Sequence, residues 1–177
     1  MKKTIILSSL FAGLIVICVL IALAVENVNR TPYEYLQSRN NVSSGPVESI
    51  NELLCYEDIG NNEYIIFFIN KNNNISCTIL RKTPFSYKTI AISGELELTE
   101  LEDFPGQLFY SAYNNKRNYF VKAPTNWVCW AVVRDDVTLY VDGVEAQEVE
   151  LNQHSFNIAF ALGDGVLQDL PEHEFSR

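Results

Sequence analysis

From Thr4 to Val25 the chain carries no charged side chain. Few environments satisfy the backbone of so long an apolar run, and this restricts the chain more than any other feature. In hydrocarbon every peptide group must find its partner within the segment, which a helix provides. At 1.5 Å rise per residue the run makes a helix of about 33 Å, against a bilayer core of roughly 30 Å. Ser8, Ser9 and Gly13 interrupt it only weakly, and apolar side chains fall on every face. Lys2 and Lys3 are the only charges before Glu26, so the positive-inside rule predicts residues 1–3 in the cytoplasm, a membrane anchor over 4–25, and export of everything beyond.

Two other fates of this segment follow from its residues. Ala22-Leu23-Ala24 has the small-x-small form of a signal-peptidase site, which predicts a secreted chain cut near Ala24. The apolar region is longer than the roughly 7–15 residues of most signal peptides, which favours retention. A lipidated Cys18 would need small residues where Val16 and Ile17 stand.

Beyond the anchor lie all 22 acidic residues and 11 basic ones (13 less Lys2 and Lys3), a net charge of −11. Nucleic acid and anionic membrane surfaces both require a Lys/Arg patch, and none is visible along the chain. Solubility explains the acidity, with a basic partner protein or a divalent cation as sharper alternatives. Cys55, Cys77 and Cys129 are too few for a disulfide scaffold. Each sits in an apolar stretch, which predicts buried free thiols, although one disulfide in any of three pairings would satisfy the count.

Thr31-Pro32-Tyr33-Glu34 reads as a capping box with a first-turn proline, opening a short helix to about Gln37. Residues 26–45 are then a juxtamembrane helix and linker. A second helix is expected from Pro46, because Val47, Ile50, Leu53 and Leu54 recur at helical spacing. From Glu63 the period shortens to two. Tyr64 to Ile69 is apolar throughout, as a strand covered on both faces would be, and the Asn70 to Asn74 turn folds it against Ile75 to Leu80. Further strands are expected at Tyr87 to Ser93 with Gly94 as its end, Gln107 to Tyr113, Tyr119 to Ala123 and Trp127 to Val133. Val137 to Val141 and Val144 to Leu151 flank Asp142-Gly143, a type I′ hairpin signal, and Ser155 to Leu162 closes the domain. The acidic stretch Glu95 to Gly106 reads as a surface connection, and 163–177 as a loosely attached tail. The expectation is a mainly β domain over 46–162, an antiparallel sandwich or partly open barrel with one or two short helices.

The rhythm of Tyr64 to Ile69, Leu80-Arg81-Lys82, Phe85-Ser86-Tyr87-Lys88, Trp130 to Val133 and Val141 to Ala146 resembles the uncharacterised small membrane-anchored or secreted proteins of Gram-positive bacteria. The resemblance covers Glu57 to Leu162. It implies a bacterial envelope setting and a β-rich domain, and brings no catalytic residue with it.

No nucleophile elbow, zinc-protease helix or phosphate-cradling loop occurs in the sequence. A cysteine nucleophile would pair Cys129 with His154, since His173 lies in the tail. Asp135-Asp136, Glu102-Asp103, Asp164 and Asp169 are solvated-turn carboxylates whose spacing is not that of a calcium loop. Asn29, Asn41 and Asn74 match the N-glycosylation pattern, as expected by chance in an Asn-rich chain. Trp127 and Trp130 point to opposite faces of a regular strand. Trp130, with Tyr113 and Tyr119, is the candidate aromatic binding face. The sequence thus predicts a non-enzymatic binding or accessory module without cofactor or metal, tethered to the membrane near an envelope protein or wall-associated ligand. The alternatives are a secreted hydrolase using Cys129 and His154 or a carboxylate pair, and a structural envelope component.

Overall fold

The computed structural model describes residues 2–40, 50–98, 108–113, 126–164 and 171–177. Helix α1 (Lys2–Asn29) gives way at Arg30 and Thr31 to α2 (Pro32–Asn40). The Thr31 hydroxyl accepts from the Glu34 amide at 3.2 Å, and the Glu34 carboxylate accepts from the Thr31 amide at 2.8 Å. This is the reciprocal capping box expected from the sequence. That backbone hydrogen bond, more than any other influence, holds the Glu34 carboxyl below its usual range. Side chains of α1 are described from Gly13 to Glu26, together with Asn29. Among the described residues no helix is long and apolar enough to cross a membrane.

The first sheet is an antiparallel meander of β1 (Ile50–Gly60), β2 (Glu63–Asn70), β3 (Asn74–Lys82) and β4 (Tyr87–Glu97). The helix expected around Ile50, Leu53 and Leu54 is therefore a strand there. The register of β1 against β2 breaks at Ile50/Glu52, Leu53/Cys55 and Asp58/Gly60. Each extra residue resets the alternation, so apolar positions drift from period two and imitate a helix. Gly94 does not end β4; Ser93 and Glu95 pair with the adjacent Cys77 and Ser76, leaving Gly94 as a bulge. A Cβ there would lie 2.7 Å from Phe109 Cδ1, so a close approach explains the glycine.

The remaining strands are β5 (Phe109–Tyr113), β6 (Asn126–Val133), β7 (Thr138–Val141), β8 (Val144–Glu145), β9 (Gln147–Val149), β10 (Asn157–Asp164) and β11 (His173–Ser176). They form a second sheet ordered β5-β6-β10-β9 and a small third sheet ordered β11-β7-β8. Asp142 and Gly143 turn with positive φ of 52° and 74°, the conformation a type I′ hairpin requires. The single strand expected after that turn is divided. Val144 and Glu145 pair with β7, whereas Gln147 to Val149 pair with β10. The end of the chain is not a loose tail, since β11 pairs with β7 from His173 to Ser176. The expected strand at Tyr119 to Ala123 lies outside the described residues, as do residues 99–106 of the acidic connection, whose first residues, Glu95 to Glu97, belong to β4.

These elements stack in layers. One face of β2 and β3 presents Ile65, Phe67, Ile75 and Ile79 to Val128, Trp130, Ile158 and Phe160 of the second sheet. The opposite face presents Ile66, Phe68 and Leu80, joined by Tyr87 of β4, to Tyr35 and Leu36 of α2. Burial on both sides is what the unbroken apolar run of β2 predicts. The second sheet is likewise covered twice, its Cys129, Ala131 and Ala159 packing on Val137, Leu139 and Val141. Alternation along β10 thus divides two cores rather than core from solvent, while Leu162 near its end is 39% exposed. The fold is mainly β and antiparallel with two helices, and the described strands do not close into a barrel.

Candidate functional site

A polar concavity lies where the β9–β10 connection meets the Asp135–Asp136 turn. It is a cavity of about 610 Å³ lined by Asp135, Glu148, Glu150, Asn152, His154 and Asn157, with Leu151 as its apolar member. Asn157 organises it from a buried position at the start of β10. Its Oδ1 accepts from the Leu151 amide at 3.0 Å, closing the chain on itself. Its Nδ2 donates to Asp135 Oδ1 at 3.0 Å and to Glu148 Oε1 at 2.8 Å. An amide nitrogen has two hydrogens, so two carboxylates, one from the β6–β7 turn and one from β9, share one donor group.

His154 sits in a turn closed by its own amide donating to the Leu151 carbonyl at 2.9 Å. Its ring packs on Phe156, centroids 4.9 Å apart, and Nε2 lies 3.0 Å from Glu52 Oε1 on β1. The contact joins residues 102 positions apart and links the second sheet to the first. Among the described residues no lysine or arginine lines the cavity. Its acceptors suit a cationic or hydrogen-bond-donating group. Among the described residues no three His, Cys, Asp or Glu side chains are grouped to hold a metal.

The other sequence candidates are dispersed. Cys129 is fully buried in the layer shared with the third sheet, and its Sγ lies 3.9 Å from the Ala161 carbonyl. Burial pushes its thiol up to about 12, the opposite of what a nucleophile needs. His154 is engaged with Glu52 beside the other core, so the structure does not bring the two together. Cys55 and Cys77 are also free. They share a face of the first sheet, both opposite Phe67 from either side, two strands apart. That separation of about 9.6 Å exceeds disulfide reach. Burial raises both thiols, Cys55 to about 12.

Trp130 has no exposed surface and cannot belong to a contact face. It stacks on Phe109 at 4.5 Å and meets Phe67 edge to face at 5.5 Å. Trp127, on the other face of β6 as expected, is half-buried over Gly163. Tyr113 ends β5 opposite Asn126, and Tyr119 lies outside the described residues. Asp164 accepts from the Asn126 side chain, Asp136 faces Arg134 at 3.3 Å, and Glu102, Asp103 and Asp169 lie outside the described residues. Asn157, Glu148 and Glu52 carried no local signal in the sequence. Their meeting depends on strand pairing, and only His154, singled out in the sequence as a partner for Cys129, pointed to the place. No family model, no curated protein and no solved structure matches this chain.

Proposed function

We propose that the chain is a single-pass membrane protein, N-terminus inside, presenting an acidic β-sandwich-like domain on the outer side of a bacterial cytoplasmic membrane as a non-enzymatic binding or accessory module. The observation that carries this reading is α1. Every large apolar residue described from Leu14 to Val25 is at least 50% exposed, around the whole helix, so the folded domain gives this surface no partner. Lipid would cover it, at a gain of about 25 cal/mol per Å² taken from water. The uncharged sequence from Thr4 to Val25 and the flanking Lys2 and Lys3 support the same orientation. Tethering would raise the effective concentration of the domain for a membrane or wall-associated partner, and the cavity around Asn157 favours one that offers cationic groups.

The test is expression of the full chain with a C-terminal tag in a Gram-positive host. Retention in the membrane pellet through alkaline carbonate extraction, with loss of the tag when protease is added to protoplasts, is the expected result. Recovery in the cytosol overturns the reading. Release of a shortened chain to the medium replaces the anchor by a signal peptide cut near Ala24.

A further inference from the structure

The turn between β3 and β4 lies beside the end of α1. The Tyr87 hydroxyl donates to the carbonyl of Arg30, one residue beyond α1, at 2.9 Å. Tyr87 itself packs against Tyr35 at 5.4 Å and Tyr64 at 5.9 Å, fixing the end of the helix to this corner of the first sheet. Two residues before Tyr87, Phe85 projects from the turn with 72% of its surface exposed, more than any other large apolar residue described. The turn that carries it is closed. Thr83 donates its amide to the Ser86 carbonyl at 2.7 Å, its hydroxyl accepts from the Ser86 amide at 3.1 Å, and Pro84 restricts the backbone between them.

Basic residues frame the same turn. Lys82 pairs with Tyr87 and Arg81 with Lys88 across the two strands. Arg81 is bound to Glu63 at 2.6 Å and Arg30 to Glu26 at 3.0 Å. Lys82 lies over the Tyr87 ring at 6.0 Å, and Lys88 is exposed; among the described residues neither has a carboxylate within ion-pair distance. With Glu34, whose charge reaches Tyr87, included, the corner holds Arg30, Arg81, Lys82 and Lys88 against Glu26, Glu34 and Glu63, a small positive excess in a region of net charge −11. Arg81, Lys82 and Lys88 lie within eight consecutive residues that hold no carboxylate, and the hairpin sets them beside the end of α1.

We infer that the β3–β4 turn is a second membrane contact, Phe85 entering the interfacial region of the bilayer that holds α1 while Lys82 and Lys88 meet anionic headgroups. Aromatic residues and lysines are the side chains that settle at this depth. A rigid tip beside the membrane exit loses little freedom on contact. The inference rests on the anchoring proposed above. It adds that the first sheet is held with its β3–β4 end toward the lipid and the Asn70 to Asn74 turn about 27 Å away at the far end of the same hairpin.

The experiment uses the full chain reconstituted in vesicles of phosphatidylcholine and phosphatidylglycerol with brominated acyl chains, which quench tryptophan on contact. Phe85→Trp adds emission to that of Trp127 and Trp130, and Lys71→Trp does so at the distant turn. Expected is quenching of the added emission in Phe85→Trp and none in Lys71→Trp. Adding Lys88→Glu to Phe85→Trp should reduce contact about fivefold at low salt, with little change in vesicles of phosphatidylcholine alone. Flotation of the parent chain with vesicles reports α1 separately. A chain that floats while the Phe85→Trp emission stays unquenched, or is quenched no more than that of Lys71→Trp, overturns this inference alone. That outcome would instead leave the turn open to a protein partner. A chain that does not float overturns the anchoring and this contact together.

Discussion

Phe67 of β2 and Trp130 of β6 meet edge to face, ring centroids 5.5 Å apart, with neither side chain exposed to solvent. Phe67 also lies 5.8 Å from Phe160, and Trp130 is stacked on Phe109, so four rings from both sheets form the centre of the main core. The two sheets therefore depend on one aromatic contact more than on any hydrogen bond between them.

Phe67→Ala removes one ring from this set and opens a cavity facing Trp130. The expected loss is about 3–5 kcal/mol of unfolding free energy, read from urea denaturation. Trp130 emission should shift to the red in the native state. Phe85→Ala, which removes a ring of the same size from an exposed turn, should cost less than about 0.5 kcal/mol by the same measurement.

The Glu63–Arg81 pair makes stability depend on pH. Glu63 has only 3% of its side chain exposed, and burial raises its pKa despite the opposing hydrogen bonds from Arg81. A raised folded value means that the native chain takes up this proton before the unfolded chain does as pH falls. The titration of Glu63 therefore favours folding on the acid side, and that contribution disappears as pH rises through its folded pKa. Arg81→Met leaves the carboxylate buried without its partner and should cost about 3–5 kcal/mol at neutral pH. The deficit should shrink as pH falls toward the carboxylate range. A pH-independent deficit in urea melts at several pH values would contradict this account.

The elements legible in the sequence were those whose signal is local. The Thr31–Glu34 cap, the Asp142-Gly143 turn and the double-sided burial of Tyr64 to Ile69 each follow from adjacent residues and elementary geometry. What failed depended on pairing partners far away. The bulges of β1 become visible only against β2, and they turned a strand into an apparent helix. Ala146 lets one segment change sheets, and β11 is held by β7 more than thirty residues earlier, so neither could be read from its own residues. The same reason hid the cavity: nothing adjacent to Asn157 in the sequence announces that it binds Asp135 and Glu148. Trp127 shows the limit from the other side. Its alternation with Trp130 was readable, but its seat on Gly163, where a Cβ would fall 2.0 Å from the indole, required the neighbouring strand.

The three thiols of the domain should be inert in the native state. Cys77 and Cys129 are fully buried, and desolvation raises all three, Cys55 and Cys129 to about 12. Thiolate is the reactive form, so alkylation by iodoacetamide near pH 8 should leave Cys55, Cys77 and Cys129 unmodified over hours, and complete within minutes in denaturant. Intact mass and peptide mapping read the sites. The same shifts predict falling stability in alkali. Unfolded thiols ionise near their ordinary value while the folded ones hold their protons, so stability is lost as pH rises toward the folded values.

Asn157 offers the sharpest separation of structural from electrostatic roles at the cavity. Its Oδ1 satisfies the Leu151 amide and its Nδ2 lies between Asp135 and Glu148. Asn157→Ala leaves a backbone donor without its acceptor and should cost about 1–3 kcal/mol, with little dependence on pH. Asn157→Asp keeps the acceptor but replaces the shared donor by a third carboxylate. Like charges so close disfavour ionisation, raising the folded pKa of the introduced group above its unfolded value. Its titration therefore favours folding in acid and opposes it as pH rises through that value, so Asn157→Asp should be more stable than Asn157→Ala in acid, where it still accepts from the Leu151 amide, and should lose that advantage toward neutral pH. Thermal melts of both variants across that range test the argument. Parallel curves would mean that the two carboxylates turn to solvent and that Asn157 serves the Leu151 turn alone.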